Sequence, residues 1–169
     1  NSKLELTFST QGAVVRKAVI KNFKDKDGHS DVTLFEGKDQ QLKYMLEGKE
    51  ENINTAELFF TPSQVTDTTV TFTAEAAPGK EIVIAYQLGK DYLLHSQFRV
   101  TGMSGLFSPS TKYMDIEWTE RCKQQEKGFT FENRYSSLTY HFTDGGTDYL
   151  NETSEKVDEP VEDAIDWVA

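Results

Sequence analysis

The chain has 169 residues, of which 37% are hydrophobic and 27% are charged, and its 28 aspartates and glutamates outnumber its 18 lysines and arginines. A chain of this length buries about 70% of the surface that its unfolded form exposes, so it can build a core without metal or disulfide crosslinks. The net charge of −10 argues against nucleic-acid binding, which relies on lysine and arginine contacts with phosphates. The longest apolar run, residues 82–86, is far shorter than the roughly 20 residues that span a bilayer.

Apolar residues recur with a period near two from the start of the chain, as at Leu4, Leu6 and Phe8, which places them on one face of a strand. About ten strands are predicted, and the later ones include residues 32–35, 58–61, 70–74, 82–88, 92–101, 113–119, 129–134 and 137–142. Turn sequences such as Asp27-Gly28 and Pro78-Gly79 separate them at short spacings, which favours antiparallel hairpins. The sequence therefore predicts an all-β fold of two packed antiparallel sheets.

Two segments could form short helices. Residues 117–127 combine good helix formers with no clear apolar stripe, so we expect a charged loop with one helical turn. Asp158 and Glu159 precede Pro160, which fits the first position of a helix running towards Ile165. With no internal repeat and no Pro- or Ser-rich linker, residues 1–169 are predicted to form a single domain.

Negative charge is concentrated towards the carboxyl end. Residues 144–166 contain nine acidic residues and one lysine, so this segment carries −8 of the net charge of −10. Acidic stretches repel themselves and stay solvated, which favours an exposed loop. The alternative interpretation is a docking surface for a basic partner.

No residue type occurs in a pattern that demands catalysis or metal binding. Cys122 is the only cysteine, so no internal disulfide forms, and without a positioned histidine it is expected to be inert even beside Arg121 and Lys123. His95 and His141 lie in predicted strands outside any metal-ligand motif, and a structural role is favoured for both.

Asp115 and Glu117 occupy alternate positions of one predicted strand. Paired carboxylates can serve sugar chemistry, but only when they flank a bond in a shaped cleft, which neighbours on a single strand face do not establish. They are predicted to form the solvent face of the strand, with Met114, Ile116 and Trp118 on the opposite, inward side.

Three stretches of the sequence, in this order, resemble a known family. They are LELTFSTQGAVVRKAVIKNF at the start, YQLGKDYLLHSQFRV in the centre, and DWVA after the acidic segment. The first is similar to an opening hairpin turned at Gly12, the second to a pair of strands around the turn at Gly89–Tyr92, and the third to a junction with a membrane-embedded region. The chain thus resembles the large periplasmic domain of the YidC-type membrane protein insertases of Gram-negative bacteria.

The resemblance implies a β-supersandwich of two antiparallel sheets with a short helical element near the carboxyl end. It also implies a position on the periplasmic face of the inner membrane, within a multi-pass protein with one transmembrane helix before the domain and five after it. Since the sequence runs from Asn1, without Met, to Ala169, we expect an excised fragment of that protein.

The implied role is that of a non-enzymatic accessory domain without a cofactor or metal. Its implied partners are the SecD/SecF subunits, the Sec translocon and nascent membrane proteins. A sheet edge or the acidic segment would provide the contact. In the acidic segment the candidate partner-binding residues are Asp158, Glu159, Glu162 and Asp163. Trp167 and Val168 are the candidate junction with the membrane core.

Two other function classes remain open. A carbohydrate-binding or aldose-epimerase-like module on a similar β-sandwich would use histidines and a carboxylate around a sugar cleft, with His95 and His141 as the candidates on strands. A peptide-binding groove that accepts clients by strand addition would require an exposed sheet edge with apolar pockets.

Overall fold

The computed structural model describes residues 1–107, 114–151 and 161–169. The chain divides into two compact units, Asn1–Lys123 and Gln124–Ala169. The strands of the first unit are β1 Leu4–Phe8, β2 Val15–Lys24, β3 Asp31–Glu36, β4 Gln40–Leu46, β5 Ile53–Asn54, β6 Thr61–Ser63, β7 Thr69–Ala77, β8 Lys80–Leu88, β9 Leu94–Thr101 and β10 Asp115–Glu120. The second unit contains α1 Phe129–Arg134, β11 Ser137–Phe142, β12 Thr147–Asn151 and β13 Ile165–Val168.

The first sheet has the order β1-β2-β3, with both neighbouring pairs antiparallel. Gly12 takes a φ of 76° in the turn from β1 to β2, where an added Cβ would lie 3.3 Å from the Cα of Ala56. The turn from β2 to β3 is closed by the Asp25 carboxylate, which accepts hydrogen bonds from the backbone N–H groups of His29 and Ser30. The hairpin predicted at Asp27-Gly28 is confirmed.

Two further antiparallel sheets complete the first unit, with the orders β6-β7-β8-β9 and β10-β4-β5. The alternation in β7 is the one that the sequence predicts, since Val70 and Phe72 are buried. Pro78-Gly79 connects β7 to β8, and Gly79 has the left-handed φ of 74° that a tight turn requires. The predicted strand 113–119 is confirmed as β10, although Tyr113 lies outside the described residues.

The main core of the first unit combines side chains from all three of its sheets. Ile84 and Phe72 come from the four-stranded sheet and Tyr44 from β4, and Phe8 of β1 packs against the same cluster. The Phe8 ring lies 4.9 Å from that of Tyr86, between ring centroids. Apolar faces of antiparallel sheets thus meet, which confirms the all-β sandwich class.

The second unit is built around the antiparallel sheet β12-β11-β13. A turn at Asp144–Gly146 joins β11 to β12, where Phe142 donates its N–H to the carbonyl of Gly146 at 2.8 Å. Tyr140 at the centre of β11 is 3% exposed. The short helix α1 precedes this sheet, about 35 residues before the carboxyl end of the chain.

Three local predictions differ from the structure. Residues 129–134, predicted as a strand, form α1, in which the carbonyl of Gly128 accepts from the N–H groups of Phe131 and Glu132. Of the predicted strand 58–61 only Thr61 belongs to β6. No helical turn forms within residues 117–127, because β10 runs to Glu120 and the chain that follows is irregular. The helix predicted from residues 158–160 towards Ile165 begins outside the described residues, but its described part is not helical, because residues 161–164 are irregular and Ile165 begins β13.

Candidate functional site

An apolar groove opens in the first unit between β1 and the strands β6 to β8. The cavity has a volume of about 370 Å³. Alternate residues of β1 form one wall, because side chains two positions apart point to the same face of a strand. The apolar side chains of the two walls are Leu4, Leu6 and Phe8 on one side, and Val70, Phe72 and Tyr86 on the other.

A short loop after β6 lies at the mouth of this groove. The hydroxyl of Thr66 accepts from the N–H groups of Thr68 and Thr69, so the loop is held by its own hydrogen bonds. Val65 of the same loop lines the cavity and is 69% exposed. An apolar side chain is therefore displayed at this end of the groove, which Asp67 of the same loop also lines.

The β1 wall of the groove is also a sheet edge, since β1 is the terminal strand of its sheet. Lys21 donates its N–H to the carbonyl of Lys3 at 2.8 Å, which fixes the alternation along the β1–β2 ladder. By that alternation Glu5 and Thr7 exchange hydrogen bonds with β2, whereas the N–H and C=O of Leu6 point away from it. The groove thus combines an apolar lining with a backbone edge.

The histidines have separate surroundings. His95 lies on β9 of the first unit opposite Gln87, and it is exposed. His141 lies on β11 of the second unit, where its Nδ1 is 2.8 Å from the hydroxyl of Thr147 and its ring stacks on Trp167. Within the ranges that the structure describes, no group of three or more His, Cys, Asp or Glu side chains is arranged to hold a metal ion.

Cys122 is exposed, and its surroundings do not activate it. Partial burial and then the nearby Glu120 carboxylate raise the pKa of the thiol above its ordinary value. The amine of Lys123 is engaged elsewhere, because its Nζ lies 2.9 Å from Glu36 Oε1 and 3.1 Å from Asp39 Oδ2. The direction of the pKa shift agrees with the expectation that this cysteine is inert.

The candidate partner-binding residues are only partly described. Glu162 and Asp163 are exposed and lie shortly before β13, whereas Asp158 and Glu159 lie outside the described residues. Trp167 and Val168, the candidate junction, belong to β13 and pair with residues of β11. They are 41% and 38% exposed, respectively, so both side chains remain accessible although their strand is paired within the sheet.

The predicted inward face of β10 is exposed, contrary to expectation. The strand register places Ile116 and Trp118 on the same face as Tyr44 and Leu42 of β4, as the alternation implies. Ile116 is nevertheless 60% exposed and Trp118 49% exposed. The alternation was predicted correctly. The prediction that this face is covered is confirmed at Met114, which packs against the main core, but it was wrong for Ile116 and Trp118, because β10 lies at the edge of its sheet.

Sequence reasoning missed two features of the first unit. The walls of the groove come from strands that are distant in sequence, so no local motif predicts it. The ion-pair cluster around Lys123 joins the end of β10 to Glu36 and Asp39, more than 80 residues away. The only sequence signal for the cluster is the acidic pair flanking the turn between β3 and β4.

Comparison with known proteins places the chain in a family. Residues 1–169 match the family described as the YidC periplasmic domain. The chain is 41% identical to the membrane protein insertase YidC of Phocaeicola vulgatus and 36% identical to that of Bacteroides fragilis, over its full length in both cases. The insertase YidC of Porphyromonas gingivalis is 26% identical, again over the full chain. No solved structure gives a significant match.

The matched region is a limited part of each relative. The chain spans 27% of the length of each of these three insertases. None of the helices in the described ranges has the length and apolar character needed to cross a membrane. The match of the family over all 169 residues, and the 41% and 36% identity to two of these relatives, nevertheless show the family of this chain. It belongs to the YidC periplasmic domain family.

Proposed function

We propose that residues 1–169 act as one accessory, non-enzymatic domain of a membrane protein insertase, at the periplasmic face of the inner membrane. Its proposed partners are the SecD/SecF subunits, the Sec translocon and nascent membrane proteins. Family membership and the name of the relatives, membrane protein insertase, support this role. The proposal assigns no cofactor to the domain.

The free-energy cost of moving polar groups into a bilayer supports an accessory role for the domain. Moving polar segments into a bilayer is costly unless a polar, hydrated path is available within the membrane. A β-sandwich outside the bilayer does not supply such a path, but it can hold or orient polypeptides. We infer that the domain contributes protein contacts and that insertion itself takes place in the membrane-embedded part of the insertase.

The observation that carries the proposal is the groove between β1 and strands β6 to β8. Recognition by strand addition needs a backbone edge for hydrogen bonds and adjacent pockets for alternate side chains. The outward-pointing backbone groups of Leu6 supply the edge, and the apolar side chains of Phe8 and Val70 line the pocket. An extended apolar segment of a partner fits this combination.

A pull-down with the full-length insertase tests the groove. Leu6→Asp places a carboxylate in the apolar wall, and we expect it to reduce capture of SecD/SecF. Thr7→Asp is the matched control, because the side chain of Thr7 is exposed and points to the opposite face of the same strand. Equal capture by both variants, with unchanged circular dichroism, would reject the groove as the contact.

The acidic segment is proposed as a second contact. Its described members Glu162 and Asp163 are exposed, as a docking surface requires. Replacing Asp158, Glu159, Glu162 and Asp163 by their amides should weaken SecD/SecF capture at low salt more than at high salt, since salt screens exposed charges. Capture that does not change with this substitution would remove the acidic contact and leave the groove proposal intact.

We also propose that Trp167 and Val168 form the junction that fixes the domain's orientation on the membrane core. Both lie on β13, whose pairing with β11 is antiparallel. After them, Ala169 and Thr139 exchange two backbone hydrogen bonds, at 2.7 and 2.8 Å. These bonds support the proposal, because they continue the sheet up to the position at which the domain would connect to the membrane region.

A further inference from the structure

Strand β10 presents an open sheet edge in the first unit, apart from the groove. It is the terminal strand of the sheet β10-β4-β5, and within the described ranges no strand pairs with its outer side. All six of its residues are exposed. An exposed edge strand is a template for pairing with another chain unless its side chains prevent it.

The hydrogen-bond pattern shows which backbone groups are free at this edge. Arg121 donates its N–H to the carbonyl of Asp39 at 2.7 Å, just beyond the last pair of the β10–β4 ladder. The alternation of an antiparallel ladder then assigns the odd-numbered residues of β10 to hydrogen bonds with β4. The even-numbered residues, Ile116, Trp118 and Glu120, direct their N–H and C=O groups to the free side.

The same even-numbered residues carry the apolar face of the strand. Tyr44, opposite Ile116 on the neighbouring strand, is 5% exposed, whereas Ile116 itself is 60% exposed. The apolar face of this sheet is therefore covered at Tyr44 on β4 and exposed at Ile116 on β10. A strand added at the edge would lay its own side chains beside Ile116 and Trp118 and extend this face.

The charges on β10 restrict what can be added. Glu117 is neutralised by Lys43, with Nζ and Oε2 2.8 Å apart, but no cation of the described residues is within ion-pair distance of Glu120. Opposite Glu120 in the ladder lies Gln40, which is 4% exposed and whose buried Oε1 is out of reach of a donor at the edge. A cationic donor arriving beside Glu120 would therefore meet its carboxylate alone.

A second copy of this chain offers the edge less than a basic segment does. Two β10 strands paired in parallel and in register would face their own carboxylates, and like charges facing each other across strands are destabilising. In an antiparallel pair centred on Trp118, Glu120 would face Ile116 and meet no cation. The three carboxylates of β10 therefore favour a segment that brings its own basic residue.

We propose that the free edge of β10 binds an extended segment of a protein partner that carries two apolar residues and one basic residue at alternate positions. The two apolar side chains lie beside Ile116 and Trp118, and the lysine or arginine lies beside Glu120 and donates to its carboxylate. Main-chain hydrogen bonds to the even-numbered residues hold the segment in register. This site is independent of the groove at β1, so either can exist without the other.

Amide hydrogen exchange with a designed peptide tests the proposal on the 169-residue chain. The probe, the alternating peptide, is a capped nonapeptide Thr-Thr-Lys-Thr-Val-Thr-Val-Thr-Thr, whose lysine and two valines stand at alternate positions. The control, the block peptide, has the same composition with the lysine and the two valines next to one another. We expect the alternating peptide to slow exchange of the Ile116, Trp118 and Glu120 amides at least tenfold, and the block peptide to leave them within twofold.

Two variants distinguish peptide binding at the β10 edge from a general attraction of a basic peptide to an acidic protein. Trp118→Lys should weaken binding of the fluorescein-labelled alternating peptide at least tenfold, measured by anisotropy. Phe23→Lys makes the same change at an aromatic residue that is 59% exposed on β2, and it should weaken binding less than twofold.

Three results would overturn the proposal. The first is unchanged exchange at the three β10 amides while the peptide is bound, and the second is an equal loss of affinity in both variants. The third is protection of these amides without peptide in a sample that sediments as a dimer, which would assign the edge to a second copy. Protection confined to β1 would support the groove and reject the β10 site.

Discussion

The imidazole ring of His141 stacks on the indole ring of Trp167, with centroids 5.3 Å apart and 15° between the ring planes. His141 also pairs with Thr147 across the ladder, and its Nδ1 lies 2.8 Å from the Thr147 hydroxyl. One side chain of β11 therefore contacts both neighbouring strands. This relationship links β13, which carries the proposed junction, to the centre of its sheet.

Replacing His141 by alanine should loosen β13. The loss of a stacked ring pair costs about 1 kcal/mol beyond the lost buried area, and the bond to Thr147 is lost as well. We expect faster amide exchange at Trp167 and a shifted indole emission, measured in a Trp118→Phe background so that Trp167 is the single reporter. His95→Ala, at an exposed histidine of β9, is the control. If both substitutions have the same effect on Trp167, the stack does not hold the strand.

Cys122 should react slowly with iodoacetamide at neutral pH, because burial and then Glu120 raise the pKa of its thiol above the ordinary value of 9.0. Glu120→Gln removes the second cause, so the pKa should fall and alkylation should accelerate. Glu117→Gln removes a nearby carboxylate that is paired with Lys43, and it should leave the rate unchanged. The rate is measured by mass spectrometry over a pH series. An equal acceleration in both variants would show that Glu120 has no specific effect.

Lys123 should control the titration of two carboxyl groups. Its side-chain hydrogen bonds are the main cause that lowers the pKa of Glu36 and of Asp39. Lys123→Gln should therefore raise these pKa values towards the ordinary 4.5 and 3.8, as measured by NMR titration of the carboxyl carbons. Lys26→Gln is the control with the same change of net charge.

The sign of the associated stability change follows from linkage. Because the folded-state pKa values are lowered, the stabilisation is present above the ordinary values of 4.5 and 3.8 and is lost as the pH falls through the folded ones. The wild-type chain should exceed Lys123→Gln in stability at pH 7, and this difference should shrink with acidification. All three groups are at the surface, so the difference should also shrink in high salt. A difference that grows on acidification would contradict the assignment.

Burial separates two isoleucines that look alike in sequence. Ile84 is 0% exposed in the centre of β8, so Ile84→Ala should reduce the free energy of unfolding by about 2–5 kcal/mol. Ile116 is 60% exposed, and Ile116→Ala should change it by no more than about 0.5 kcal/mol. Urea unfolding measures both. A cost above 2 kcal/mol at Ile116 would mean that the face of β10 is covered in the isolated chain.

These contrasts show how far the sequence determines the structure. Alternation over many residues predicts β7 and β8 correctly, because only a strand places that many alternate side chains in one core. In residues 129–134 the same period extends only over Phe129 and Phe131, and the local bonds from Gly128 favour a helix instead. Chain periodicity predicts the apolar face of β10, but whether another sheet covers it depends on tertiary packing. The groove has the same origin, since its walls meet only after the sheets have packed.

The junction proposal predicts unequal tolerance of insertions in the full-length insertase. A Gly-Ser-Gly-Ser insertion directly after Ala169 would place a flexible segment next to the backbone bonds between Ala169 and Thr139, and so uncouple β13 from the chain that follows. The same insertion between Asp27 and Gly28 lengthens a turn in which Gly28 has open space around it. We expect insertion of a membrane protein substrate to fall at least threefold for the first variant and to stay within the wild-type range for the second. Assays in reconstituted vesicles at matched protein levels measure this, and equal activity of the two variants would show that Trp167 and Val168 do not set the orientation of the domain.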